Sequence, residues 1–241
     1  MIKGLNVGNI MKTVILCGGK GTRLGKVDLP KALIEIGGKP IIWHVMKIYK
    51  HFGHNDFILC LGHKGNMIKD YFKNSTEFNI EFIDTGEDTL TGGRIKQIEH
   101  LIENDDFFCT YCDGVANIDI NNLLKFHKNY GKTATISVIQ QHSQFGKVTM
   151  NENNMIQSFK EKPLLDFWIN GGFFVFNKKI FSELDKNEMM VEGPFERLAK
   201  INQICAFKHN GFWKCMDTLK DTGFLNDQWN INGKPWKCWN D

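Results

Sequence analysis

At 241 residues the chain can bury a full core as one domain of the larger kind. Charged residues make up 24% and apolar residues 42%, an ordinary globular balance, and a net charge of only +3 gives no case for a nucleic-acid or membrane surface. No apolar run approaches membrane-spanning length and the start lacks a signal-peptide pattern, so a cytoplasmic location is expected.

In chain order, residues 1–10 read as an extension ahead of Met11, and residues 11–241 as one compact domain. Thr13-Val-Ile-Leu16 is an apolar, β-branched run that reads as a buried strand, followed by a glycine-rich loop. Ala32–Ile36 is strand-like, Gly37-Gly38 marks a turn, and Pro40 opens a helix over Ile41–Phe52 that Gly53 would cap. Phe57–Leu61 reads as a strand, Asn66–Phe72 as a short helix and Asn79–Ile83 as a strand. Residues 93–103 carry Ile95, Ile98, Leu101 and Ile102 on one helical face, and Phe107–Tyr111 is a strand running into Cys112-Asp113-Gly114. Further on, 133–139, 147–150 and 172–176 are strand candidates, with helices near 195–201 and 219–229. Strands alternating with helices through the first half predict an α/β domain with a largely parallel central sheet.

Seven cysteines, an odd number lying mainly in strand-like segments, suit reduced thiols. Cys109 and Cys112 form a C-x-x-C pair with no second pair or histidine cluster to complete a zinc site, and on a strand that spacing points the thiols to opposite faces. The eight histidines show no ligand spacing, and none is read as catalytic.

The chemistry gathers at the first loop. Gly18, Gly19 and Gly21 let backbone N–H groups approach phosphate oxygens, while Arg23 and Lys31 add a planar fork and a mobile point charge. This is not a Walker loop, because Gly21 stands where Ser or Thr is needed, nor a dinucleotide fingerprint, because Leu24 stands at the third glycine. Asp113, where a buried strand meets a glycine, suits either a Mg²⁺ ion or an Asx-turn. Asp217 could equally cap the following helix, Arg94 could be an exposed helix arginine, and Glu161-Lys162 could be a solvated charge pair.

Gly18-Gly-Lys-Gly-Thr-Arg-Leu24 followed by Pro30-Lys31 resembles the signature of the sugar-1-phosphate nucleotidyltransferases, and within them the glucose-1-phosphate cytidylyltransferases most of all. The likeness continues at Ile36–Pro40, Trp43-His44, Asp84–Gly86, Thr91–Arg94, Tyr111–Val115, Glu161–Pro163, Ile169–Phe174, Gly211–Trp213 and Met216–Thr218. It covers nearly the whole chain from Met11.

That resemblance implies a single Rossmann-like domain with small antiparallel additions. It implies transfer of CMP from CTP to a sugar 1-phosphate, with Mg²⁺ as cofactor and surface polysaccharide assembly as the destination. Arg23, Lys31 and Asp113 would be catalytic. Leu16, Gly18, Gly19, Gly21, Thr22, Arg23, Gly93 and Arg94 would hold the nucleotide, Arg94 at the base. Glu161, Lys162, Trp168, Asn170 and Gly171 would hold the acceptor, Lys162 at its phosphate, and Asp113 with Asp217 would bind the metal. The chain departs from the resemblance at Lys73–Ile83, shorter than the family's insertion, and at Pro163–Ile169, which is more apolar. An assembly smaller than a hexamer is therefore expected, and UTP, dTTP or a non-glucose acceptor stay open. A regulatory protein that binds nucleotide without turnover is the rival from another class.

Overall fold

Every residue of Thr13–Leu16 (β1) is buried, so this strand has layers on both faces and belongs inside a sheet. The computed structural model, which describes residues 11–21, 28–231 and 233–240, places it there. A 3-10 turn at Lys31–Leu33 precedes the two-residue strands β2 (Glu35–Ile36) and β3 (Lys39–Pro40), which pair as a hairpin. The strand expected over Ala32–Ile36 is thus reduced to its last two residues, because the Leu33 N–H turns back to the Pro30 carbonyl at 2.8 Å.

Helix α1 (Ile41–His51) buries Ile41, Ile42, Val45, Met46, Ile48 and Tyr49, a wide apolar stripe at helical spacing. Lys50 and His51 sit in its last turn, where the helix dipole favours positive charge, and Gly53 at φ +90° takes the chain away. Next come β4 (Asp56–Leu61), α2 (Gly65–Phe72) and β5 (Asn79–Asp84). Helix α3 (Thr91–Gln97) stops short of residue 103, giving way to a 3-10 turn at Glu99–Leu101. Strand β6 (Asp106–Tyr111) and the three-residue β7 (Gly114–Ala116) follow. Helix α4 (Ile120–Tyr130) is capped by the Asp119 carboxylate, which accepts from the Asn122 N–H at 2.8 Å, and ends at left-handed Gly131.

The rest comprises β8 (Ala134–Ile139), a hairpin of β9 (Lys147–Met150) and β10 (Ile156–Lys160), and β11 (Ile169–Asn177). Then come α5 (Ile180–Glu183), α6 (Pro194–Lys200), β12 (Ile204–Lys208), β13 (Trp213–Cys215) and α7 (Leu219–Asn230).

The central sheet has seven strands in the order β12-β8-β11-β6-β1-β4-β5. Only β11 runs antiparallel to its neighbours; the other pairings are parallel. From β1 the chain builds outward through β4 and β5, then crosses to β6 on the other side of β1. The order reverses between β1 and β6, and ligands of open α/β sheets bind outside the carboxyl ends of strands at such a point.

Apolar clusters cover both faces of the sheet, one centred on α1 with Phe108, Phe173 and Trp236, the other on Phe107, Phe174, Phe176 and Phe195. Cys112 falls in the first and Cys109 in the second, the opposite-face placement their spacing implies. All seven cysteines are free thiols. No described helix is long and apolar enough to cross a membrane.

His44 locks the C-terminal segment onto α1. One ring nitrogen lies 2.8 Å from the Ile36 carbonyl and must donate, so the other accepts the Trp236 indole N–H at 3.3 Å. Burial among Trp43, Trp229, Trp236 and Trp239 lowers the imidazole pKa to about 4. Because the folded pKa lies below the unfolded one, the unfolded chain binds the extra proton first. Stability is therefore lost as pH falls from about 6.5 to 4, by on the order of 3 kcal/mol from this group. In an NMR titration the His44 ring resonances should stay at their neutral positions down to about pH 5; a midpoint near 6.5 would contradict this packing.

Candidate active site

The loop after β1 is shaped by one arginine. Arg94, at the heart of α3, is only 3% exposed. Its Nη1 donates to the Leu61 carbonyl (2.8 Å), Thr85 Oγ1 (2.6 Å) and the Gly86 carbonyl (2.8 Å), and its Nη2 to the carbonyls of Gly18 and Glu87 (both 3.1 Å). The guanidinium thus ties the glycine loop to the ends of β4 and β5. It also explains two glycines, since a Cβ on Gly18 or Gly62 would run into it. Burial holds its pKa below the usual arginine value.

Gly18, Gly19 and Gly21 line a cavity of about 310 Å³ together with Leu16, Lys31, Arg94, Tyr111 and Asp113. Gly21 adopts φ +61°, which suits a residue without a side chain. Thr89, Leu90, Thr91 and Met189 close its far wall.

Asp113 follows β6 across the switch point from that loop. Strands β7 and β13 pair antiparallel just beyond it, Gly114 opposite Cys215, and the Met216 N–H donates to the Asp113 carbonyl at 2.9 Å. This clamp brings Asp217 to Asp113. Thr218, not Asp217, caps α7: its hydroxyl accepts from the Asp221 N–H at 3.2 Å, and the Asp221 carboxylate accepts from the N–H groups of Thr218 (2.9 Å) and Asp217 (3.2 Å). Asp221 therefore orients Asp217, a role the sequence did not disclose.

Donor atoms of Asp113, Cys215 and Asp217 lie within 4.8 Å of one another, the one such group among the described residues. Lys31 reaches into it, with Nζ 2.5 Å from Asp113 Oδ2 and 2.6 Å from Asp217 Oδ1. The paired carboxylates raise the lysine pKa against the opposing effect of burial. Burial and the Asp113 charge push the Cys215 thiol far up, so it stays protonated.

A second cavity, of about 530 Å³, opens on the other side of Asp113. Tyr111, Gln141, Gln144, Asn170, Gly171 and Trp213 line it. Its floor is a bulge where the β11–β8 register shifts between Asn170 and Phe174, with Gly172 at φ +80°. The Gly171 carbonyl accepts from the Trp213 indole N–H at 2.7 Å, and Asn170 Oδ1 from the Gly172 N–H at 2.9 Å. Tyr111, Gln141 and Gln144 carried no separate signal in the sequence. Only Tyr111 stood inside a quoted motif.

Other expected residues lie elsewhere. Gly93 packs against the Lys186 carbonyl, where only a glycine fits, and does not line the nucleotide-side cavity. Arg94 is not the exposed helix arginine that residue type alone allowed, and its donors face protein carbonyls. Glu161 and Lys162 are exposed at the base of the β9–β10 hairpin, their charged groups 3.9 Å apart, and neither lines the acceptor-side cavity. Trp168 lies outside that lining too, its ring 5.1 Å from Lys208 Nζ. Thr22 and Arg23 lie outside the described residues.

A glycine loop and a pair of carboxylates face each other across the switch point of a doubly covered α/β sheet, the arrangement of a nucleotide-binding transferase. Residues 12–235 match the nucleotidyl transferase family, and the chain belongs to it. It is 44% identical to a probable glucose-1-phosphate cytidylyltransferase of Bacillus subtilis, covering 95% of this chain and all of that protein. It is 40% identical to the glucose-1-phosphate cytidylyltransferase of Salmonella typhi over the same shares. The Bacillus alignment runs over 255 residues, more than this chain has, so that relative carries segments absent here. In fold the chain is similar to HddC from Yersinia pseudotuberculosis complexed with GMP-PN (TM-score 0.72, 23% identity, covering 91% of this chain and all of that one). It is also similar to a putative glucose-1-phosphate thymidylyltransferase from Bacillus anthracis (TM-score 0.73, 20% identity, 92% and 96% covered).

Proposed function

We propose that the protein transfers CMP from CTP to a sugar 1-phosphate, releasing pyrophosphate and giving a CDP-sugar. The observation that carries the reading is that Asp113 lines both cavities, so a nucleotide over the glycine loop and a sugar phosphate over Asn170 would meet beside it. The choice of CTP and of a glucose-type acceptor comes from the two cytidylyltransferase relatives.

The acceptor phosphate oxygen attacks the α-phosphorus. A new P–O bond forms, and the bond to the β-phosphate oxygen breaks with its electron pair leaving on pyrophosphate. A phosphate monoester is ionised near neutral pH, so no general base is required, and catalysis is positioning and charge stabilisation. Backbone N–H groups of Gly19 and Gly21 cradle phosphate oxygens, and Arg94 holds that loop in place. Lys31 supplies a mobile positive charge, while Asn170, Gly171 and Trp213 seat the sugar. The two carboxylates suit a hard cation, and the Lys31 ammonium between them marks a position built for positive charge. Asp113 and Asp217 would hold Mg²⁺, which when bound neutralises charge on the triphosphate and the departing pyrophosphate. Lys162 reaches an acceptor phosphate only if the β9–β10 hairpin closes over the cavity.

The reaction fits the cytoplasm, with the CDP-sugar serving surface polysaccharide assembly. Only residues 73–78 separate α2 from β5, so the contacts expected of a longer insertion are missing and a monomer or dimer is expected. Light scattering that showed a hexamer would refute this. The test of function is pyrophosphate release with the four common NTPs against a panel of sugar phosphates. CTP with one sugar 1-phosphate should turn over fastest; preference for UTP or dTTP would move the assignment within the family, and binding without turnover would favour the regulatory reading.

A further inference from the structure

The Lys31 ammonium occupies the space between Asp113 and Asp217, at 2.5 and 2.6 Å from their oxygens, and its side chain is only 11% exposed. Those are the same two carboxylates a divalent cation would need. Ammonium and divalent cation repel, and each requires contact distance from the same two carboxylates, so the two cannot share the position. The root of Lys31 sits elsewhere. Its Cβ would meet a Cβ on Gly21 at 3.3 Å, and the residue lines the cavity over the glycine loop. Its backbone is fixed in a 3-10 turn, with the Ile34 N–H donating to the Lys31 carbonyl at 3.2 Å. What remains free to move is the four-carbon stem, long enough to swing the charge from the carboxylates to phosphates on the loop.

We propose that Lys31 is the resident counter-ion of the Asp113–Asp217 pair, and that nucleotide and divalent cation bind cooperatively because each draws its ammonium off the carboxylates. This deepens the cation reading of those two residues and rests on it. With the ammonium in place the trio carries a net charge of −1, which opposes a triphosphate. A triphosphate over the glycine loop offers the ammonium a new partner and vacates the carboxylates. A divalent cation there leaves the pair neutral and frees one positive charge for the loop. Each ligand therefore favours the other, by the same factor in either direction. A lysine that served as plain structural glue would stabilise the fold without coupling the two ligands.

The experiment measures Mn²⁺ binding from the electron paramagnetic resonance of the free ion, with and without a non-hydrolysable CTP analogue. Wild type is compared with Lys31→Met, Lys31→Gln, Asp113→Asn and Lys214→Met, the last neutralising another lysine of the same region. Without nucleotide, both Lys31 variants should bind Mn²⁺ at least tenfold tighter than wild type, and Lys214→Met less than threefold tighter. After subtraction of the Mn²⁺ that the analogue chelates in buffer without protein, the analogue should tighten Mn²⁺ binding severalfold more on wild type than on the Lys31 variants. Melting temperature gives an independent reading. Without divalent cation the Lys31 variants should melt lower than wild type, and Mn²⁺ should raise them by more. Equal Mn²⁺ affinity in wild type and both Lys31 variants, or equal gains in all lysine variants, would overturn the exchange while leaving the cation site standing. Mn²⁺ binding by Asp113→Asn as tight as by wild type would overturn the cation reading and the exchange with it.

Discussion

Asp113→Asn should lower turnover by about 10³-fold, a loss of several kcal/mol in transition-state stabilisation, with the fold intact. The side chain is 18% exposed at the meeting of the two cavities, where it is ion-paired with Lys31. Removing its charge leaves a single carboxylate for both the Lys31 ammonium and any cation. Asp217→Asn should act in the same direction. Residues that serve one position fail together, so the double variant should lose much less than the product of the single losses. Steady-state pyrophosphate release with titrated Mg²⁺ measures all three, and chelation should stop the wild-type reaction. Near-normal rates in Asp113→Asn would remove the in-line mechanism along with the cation position.

Arg94→Ala should cost stability and nucleotide binding together. Five acceptors lose a donor; the Gly18 carbonyl keeps the His63 N–H and the Leu61 carbonyl the Thr85 N–H and hydroxyl, but those of Gly86 and Glu87 lose theirs, and a buried oxygen without a partner costs roughly 1–3 kcal/mol. Water entering the space left by the side chain recovers part of this, so a net destabilisation of about 3–5 kcal/mol is expected. Lysine cannot replace the fork, because one ammonium does not span the two sets of carbonyls. CTP should bind more weakly because Gly18 is then held only by the His63 N–H after β4 and loses its tie to Gly86 and Glu87 after β5, even though the guanidinium faces protein. Denaturant melts and CTP titration of Arg94→Ala and Arg94→Lys separate this from direct base reading. A variant with wild-type stability and an altered CTP-to-UTP preference would show that the arginine reads the base.

How far the sequence disclosed this arrangement differs by residue. The β1–loop unit, α1 and the β6 strand leading to Asp113 were legible, because buried strands, helical stripes and glycine turns leave local patterns. Helix α4 was not, since only Ile120, Leu123 and His127 are buried in it and polar residues interrupt its apolar positions. Strand β10 was missed because it is exposed along its length and shows no apolar run; β12 has a short run, 204–207, which was passed over. The antiparallel placement of β11 depends on distant pairing, which no local pattern carries.

At the site, the meeting of Asp113 and Asp217 was expected only through family resemblance. The clamp that produces it joins two three-residue strands about a hundred positions apart. Nor did the residues by themselves show that Lys31 sits between the two carboxylates and already neutralises one of them. Arg94 was recognised by its motif, but burial decides its partners, and burial is a property of the folded chain. Lys162 and Glu161 carried a role from resemblance alone, and their exposed hairpin gives no fixed approach to the cavity.

The central claim is that one crevice joins CTP to a sugar 1-phosphate. It is tested most directly by incubating the protein with CTP, Mg²⁺ and glucose 1-phosphate and following the phosphorus NMR spectrum. The expected result is equal growth of inorganic pyrophosphate and of the paired diphosphate signals of a CDP-sugar, at the expense of both substrates. CTP that stays intact with every sugar 1-phosphate offered, while still binding to the protein, would contradict the account.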